Sequence, residues 1–443
     1  MKKGISYILV SLVLLSLLGC AKGARGEDGK IKNTEQKVHQ LVSEDFKRGI
    51  GDMMKTEKGF YYHNYTDDGF HYYDISTGTT MFLCNKPECR HDGNEFCVAT
   101  NSKYEKLNYR LYGGKLIVYA LEETETQYML KVLSVETDGS GLDEIATIMT
   151  VERTEEGIGV PGLNMEKEMV IHRNKAMIPM EIMGVAGVNY YGVAILDLDT
   201  KEVTYLDEEP LGKDNQRISG VSGYGDWIYY CRKEGKKNIL HRYHITEGTD
   251  ETCKLLVGFT GDYAVLDADT VLYLRSGGIE LCSYRYSTGE NKELQRFSRL
   301  YEQSVILNGV AAKQEVERET KMTGIQTDGT YFYFAEEVTK IGREDENGKL
   351  IAWVQPAYVH VLNRELEEIA AVDMTKVASD LGYKANWNWS SYTTALHYFG
   401  DDIYLELESW VNSNQEVYVY QTKREDFLTG EPKFEFVYKR SEW

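Results

Sequence analysis

Seven short segments of one kind recur along this chain, and such a repeat limits the fold more than any other feature. Each is a short strand, most of them rich in Tyr, Ile, Val and Leu, and in most cases set off by a Gly, Asp or Asn turn. They are Phe60-Tyr61-Tyr62, Lys115 to Tyr119 after Gly113-Gly114, Lys175 to Ile178 after Asn174, and Trp227 to Tyr230 after Gly225-Asp226. The series goes on with Val271 to Leu274 after Asp269-Thr270, Tyr331 to Phe334 after Asp328-Gly329, and Ile403 to Leu405 after Gly400-Asp401-Asp402. A following strand recurs too. Tyr72-Tyr73-Asp74 leads into Thr77-Gly78, Val193 to Asp199 into Thr200, Tyr284-Arg285-Tyr286 into Thr288-Gly289, and Val417 to Tyr420 runs on to Thr429-Gly430.

Four antiparallel strands repeated every ~40–60 residues predict the blade of a β-propeller. One blade cannot bury both of its faces, whereas a closed ring of blades buries them and leaves few open edges. The abundance of tyrosine, 33 residues, and the scarcity of proline, 6 residues, agree with an all-β chain. Residues 51–443 are therefore expected to form a β-propeller of seven four-stranded blades with almost no helix. The rival arrangements are an eight-bladed ring, with one insert counted as a degenerate blade, and two packed sandwiches. Inserts at 150–168, 298–322 and 376–395 are expected to be irregular loops on one rim, where binding surfaces usually sit.

The N-terminus carries a different signal. Lys2 and Lys3 precede an almost wholly apolar run from Ile5 to Leu18, and Leu17-Leu18-Gly19-Cys20 closes it. The run is short for a bilayer span and suits the h-region of a signal peptide. The order resembles the lipobox of bacterial lipoproteins. That resemblance implies cleavage before Cys20 and a diacylglyceryl group on its sulfur, so the protein is expected outside the cell on a lipid anchor. Residues 1–19 are then a signal peptide and residues 20–50, largely polar, a flexible tether. The whole chain has a net charge of −20, while its first fifty residues are net positive. A basic tether suits an anionic membrane surface, and the acidic body argues against nucleic acid as a partner. The acidity itself reads as solubility.

The strongest local oddity is Leu83-Cys84-Asn85-Lys86-Pro87-Glu88-Cys89-Arg90-His91-Asp92, followed by Cys97. Three thiols and an imidazole this close can form a tetrahedral Cys₃His site for structural zinc. Pro87 lowers the entropy lost on closing the first loop. The spacing C-x₄-C-x-H-x₅-C is not a standard zinc knuckle. A disulfide between two of the cysteines is the competing chemistry, with the third thiol idle or paired at a distance, and three free thiols is the last. Both of the first two would staple a loop, and neither implies catalysis. The segment, the lipobox and the blade pattern together resemble a group of Gram-positive surface lipoproteins. In these a propeller follows the lipobox, and the first blade ends in LC-x-K-P-x-C-x-H-D. The resemblance implies location and fold but no activity.

Other constellations are weaker. Trp387, Trp389 and Tyr392 among small polar residues could stack on sugar rings or anchor a protein, or else fill a core between blades. Asp197, Asp199 and Glu202 lack the spacing of a calcium loop and read as a solvated turn. Gly220 to Tyr224 misses the nucleophile elbow, and no P-loop, dinucleotide fingerprint or H-E-x-x-H motif occurs. The expected function is a non-enzymatic binding or scaffold propeller for a glycan, a peptide or an envelope protein. The alternatives are a polysaccharide hydrolase or lyase using carboxylates in the axial channel, and an assembly or sensor protein like TolB.

Overall fold

All seven apolar runs form the second strands of four-stranded sheets. The computed structural model describes residues 53–441 except 57, 65–66, 154–168, 184–188, 213–217, 254–255, 257, 308–309, 337–339, 345–349, 355–357, 383–393, 400 and 412–413. The expectations for Cys20, for the tether and for Trp387, Trp389 and Tyr392 lie outside these residues. Seven sheets of four strands span 53–82, 104–152, 170–205, 218–252, 259–296, 322–373 and 394–441. Pairing within each is antiparallel, as in Phe60↔Tyr73 of the first and Leu405↔Tyr420 of the seventh.

Alternation along the strand explains why the runs read as continuously apolar. In the second blade Leu116, Val118 and Ala120 point toward the first blade, and Ile117, Tyr119 and Leu121 toward the third. Successive side chains leave a strand on opposite faces, so a strand covered on both faces needs apolar residues at every position. The same division holds in the fifth blade, where Val271 and Tyr273 face the fourth and Leu272 and Leu274 the sixth. Seven buried clusters fill seven junctions. The last joins Phe60, Tyr62 and Tyr73 of the first blade to Tyr404, Val417, Val419 and Tyr438 of the seventh. The ring is closed, and the molecule is a seven-bladed β-propeller.

Two features depart from the sequence reading. The stretch 298–322 is not irregular: Ser298–Leu307 pairs with Val310–Glu319 as a long hairpin between blades. A second hairpin, Lys340–Glu344 with Leu350–Val354, is inserted between the second and third strands of the sixth blade. The described helices are short. Met374–Asp380 is capped by the Asp373 carboxylate, which accepts from the Thr375 and Lys376 N–H groups, and Arg424–Phe427 is a single turn. Among the described residues no helix is long and apolar enough to cross a membrane.

Candidate metal centre

The outer strand of the first blade, Thr79–Phe82, is only four residues long, and the chain leaves it into the cysteine loop. Both flanks of this loop are fixed by burial. Leu83 and Val98 enter the core shared with Tyr104 and Leu116 of the second blade. The backbone carries the loop across the junction, with the Asn85 N–H donating to the Gly139 carbonyl at 3.2 Å. Gly139 has φ +71°, and a Cβ there would lie 2.7 Å from the Cys84 nitrogen, so only glycine fits the approach.

Inside the loop a set of short-range bonds turns the donors inward. The Cys89 N–H donates to the Lys86 carbonyl and the Cys97 N–H to the Asn94 carbonyl, each at 3.1 Å. The Lys86 ammonium donates to the Phe96 carbonyl, and Asn101 Nδ2 donates to the Glu95 carbonyl at 2.7 Å. His91 adopts φ +53°, a conformation that side-chain-bearing residues rarely take. Its ring then faces Cys97, with Nδ1 3.4 Å from Sγ.

One donor atom from each of Cys84, Cys89, His91 and Cys97 lies within 4.8 Å of all the others. Cys97 is buried and the other three are half-buried. None of the three sulfurs is joined to another in this structure. Among the described residues no second group of three or more His, Cys, Asp or Glu side chains converges in this way. Burial alone would raise the Cys97 thiol, but hydrogen bonds with Thr100, His91 and Cys89 outweigh it and bring Cys97 down to about 6. The Thr100 N–H is one of these donors, at 3.4 Å. Cys89 goes the other way. A bond from the His91 backbone favours its thiolate, yet burial and the neighbouring Cys97 and Cys84 sulfurs together hold it above the ordinary thiol value. Three sulfurs at this spacing cannot all ionise unless a cation joins them, and a divalent ion in a tetrahedral S₃N set supplies that charge.

The sequence named all four donors. It did not name Gly139, Thr100 or Phe82, which seat them. Phe82 stacks on the His91 ring at 4.5 Å and 24°. Gly139 belongs to a Thr-Asp-Gly turn like others in the repeat, so nothing in its own sequence links it to Cys84.

The other described cysteines lie apart from this cluster. Cys231, Cys253 and Cys282 are buried at the junction of the fourth and fifth blades. Burial pushes Cys231 up to about 11 and raises the other two. Asp197 is half-buried where its strand meets an exposed turn, and protein groups satisfy it: it accepts from the Asp199 and Thr200 N–H groups at 2.8 and 2.9 Å and from Lys175 at 2.8 Å.

No protein-family model and no curated protein matches the chain. Solved structures are similar at low identity. The WD40 domain of SCAP from fission yeast is 8% identical, with 90% of this chain and 89% of that one covered and a TM-score of 0.36. An oligogalacturonate lyase in complex with manganese is 12% identical, covering 85% and 96%, with a TM-score of 0.41. An oligogalacturonate lyase from Vibrio parahaemolyticus is 9% identical, covering 86% and 88%, with a TM-score of 0.43. The chain's own sheets and its own donor set define its class, a seven-bladed propeller with a Cys₃His cluster at the end of its first blade.

Proposed function

We propose that the protein is a lipoprotein, held on the outer face of the cell membrane by a diacylglyceryl group on Cys20, and that its propeller is a binding or scaffold module with a structural zinc ion. The observation that carries the structural-zinc reading is the completeness of the cluster. Four protein donors fill a tetrahedral zinc ion and leave no open position for substrate or activated water, as in structural and not catalytic sites. The anchor rests on the Leu-Leu-Gly-Cys order after an apolar run with two leading lysines. The repelling charge of the acidic body and the basic tether together favour a propeller held away from the lipid surface. Its ligand class is a glycan, a peptide or another envelope protein, met at a rim of the ring.

Two measurements test this reading. Mass spectrometry of the mature N-terminal peptide should show Cys20 carrying diacylglycerol, and an unmodified Cys20 or cleavage elsewhere would refute the anchor. Binding of the mature protein to an array of envelope glycans, followed by analysis of the bound glycans for cleavage, separates the two activities. Retention without cleavage supports the binding module, and shortened or unsaturated products would make it a hydrolase or a lyase.

A further inference from the structure

The His91 ring is the outer end of a column of rings that reaches the seam where the propeller closes. His91 stacks on Phe82 at 4.5 Å. Phe82 lies against His71 at 4.4 Å, and His71 stacks on Tyr62 at 5.4 Å and 13°. Tyr62 stacks on Tyr438 of the seventh blade at 5.8 Å and 24°. Strand register imposes this order. Tyr62↔His71 and His71↔Phe82 are directly opposed pairs across the second, third and fourth strands of the first blade. Opposed residues on one face of a sheet are close enough to touch, so the three rings cannot avoid one another. Asp67 holds His71 in place, its two carboxylate oxygens lying 3.0 and 3.1 Å from Nε2.

The seam at the inner end is unlike the other six. No four-stranded sheet takes strands from both ends of the described chain, so no strand is shared between the first and seventh blades. The other junctions are also crossed by the chain itself, whereas among the described residues no chain connection crosses this one, which is joined by the cluster that contains Tyr62 and Tyr438 and by the bond from the Tyr73 hydroxyl to the Val437 carbonyl.

We infer that metal occupancy of Cys84, Cys89, His91 and Cys97 sets how firmly the seventh blade closes on the first, through the column Phe82–His71–Tyr62–Tyr438. The inference rests on the metal reading given above. Coordination pins His91 in its left-handed backbone conformation, which is unfavourable for a residue with a side chain. Without the ion that conformation has lost its strongest constraint, and the ring leaves Phe82. Phe82 is only half-buried, so it then lacks a cap on its outer face. The rings beneath it lose their backing, and local opening of the closing seam becomes more populated.

Hydrogen exchange of the mature, lipidated protein in detergent tests this, with zinc bound and after chelation. Metal content is measured on the same samples. Loss of zinc should speed exchange in the last strand, Glu435–Ser441, by about tenfold or more. Exchange in Trp227–Glu234, at the seam between the third and fourth blades, should stay the same. Two variants keep four donors and interrupt the column, Phe82→Leu and His91→Cys. Both should still bind one zinc, and both should show fast exchange in Glu435–Ser441 with or without it. A wild-type protein that binds zinc but exchanges identically in that strand after chelation overturns the inference and leaves the metal reading intact. Equal acceleration in both strands overturns it as well, because the ion would then support the whole fold. A protein that binds no zinc overturns the metal reading first, and the coupling with it.

Discussion

Tyr438 in the last strand stacks on Tyr73 in the first blade, with ring centroids 4.7 Å apart and planes at 23°. The Tyr73 hydroxyl donates to the Val437 carbonyl at 2.9 Å across a sequence separation of 364 residues. Lys55 adds a charge contact to Asp402 at 3.7 Å. These contacts do the work that a shared strand would otherwise do in a ring. Tyr73→Phe removes one hydrogen bond and should cost about 1 kcal/mol. Tyr438→Ala removes a buried ring from the centre of the seam and should cost about 3–5 kcal/mol. Urea unfolding of the mature protein measures both, and a Tyr438→Ala protein as stable as wild type would mean that the seam contributes little.

Removal of residues 396–443 should abolish folding instead of trimming it. The deletion takes away most of the seventh blade and uncovers the faces of the sixth and the first, including Val361, Val372, Phe60 and Tyr62. Each large apolar side chain returned to water loses about 1.5–3 kcal/mol, and several are lost together. Loss of the near-ultraviolet circular dichroism spectrum and rapid proteolysis are expected. A cooperative unfolding transition in the shortened chain would contradict this.

Thiol labelling should divide the cysteines into two classes. With zinc bound, the folded protein should react slowly at every cysteine. Chelation should release Cys84 and Cys89, and Cys97 more slowly because it is buried. Cys231, Cys253 and Cys282 should remain inert until the protein unfolds, since burial both raises these thiols and blocks the reagent. Fast labelling of those three in folded protein would show that the junction of the fourth and fifth blades opens readily.

Acid should weaken the fold through its paired carboxylates. Burial opposes ionisation of Asp197, but Lys175 and the Thr200 and Asp199 N–H groups outweigh it and hold the carboxyl below its ordinary value. The folded value lies below the unfolded one, so the stabilisation is complete above the ordinary carboxylate range. It is lost as pH falls through that range toward the folded value. Asp197→Asn should cost about 1–3 kcal/mol at neutral pH and flatten the fall in stability as pH drops through the ordinary carboxylate range. Urea midpoints of chelated protein measure this without interference from metal loss. An unchanged pH profile in the variant would remove Asp197 from the account.

Much of the fold is legible in the sequence because its second strands are covered on both faces. Leu116 to Leu121 and Val271 to Leu274 must be apolar throughout, and the turns before them mark where each strand starts. The hairpins at Ser298–Glu319 and Lys340–Val354 were harder to read. Each does carry an apolar run beside an Asn-Gly pair, Val305 to Leu307 before Asn308-Gly309 and Leu350 to Val354 after Asn347-Gly348, but these strands are additional to the four-strand repeat, and the second hairpin interrupts a blade between strands that pair with each other. The four donors were legible as a cluster, but their chemistry was not. Spacing fixes how far apart Cys84, Cys89, His91 and Cys97 are along the chain, not where their side chains point. The left-handed backbone at His91, the Thr100 N–H on Cys97 and the approach of Gly139 to Cys84 decide that, and each depends on packing between blades.

Elemental analysis of mature protein, purified without chelator and without added metal, decides whether Cys84, Cys89, His91 and Cys97 hold one structural zinc ion. One zinc per chain is expected, lost in both Cys89→Ser and His91→Ala, with lowered thermal stability in each. A metal-free protein whose non-reducing digest contains a disulfide-linked peptide from 84–97, and in which His91→Ala is harmless, would contradict it.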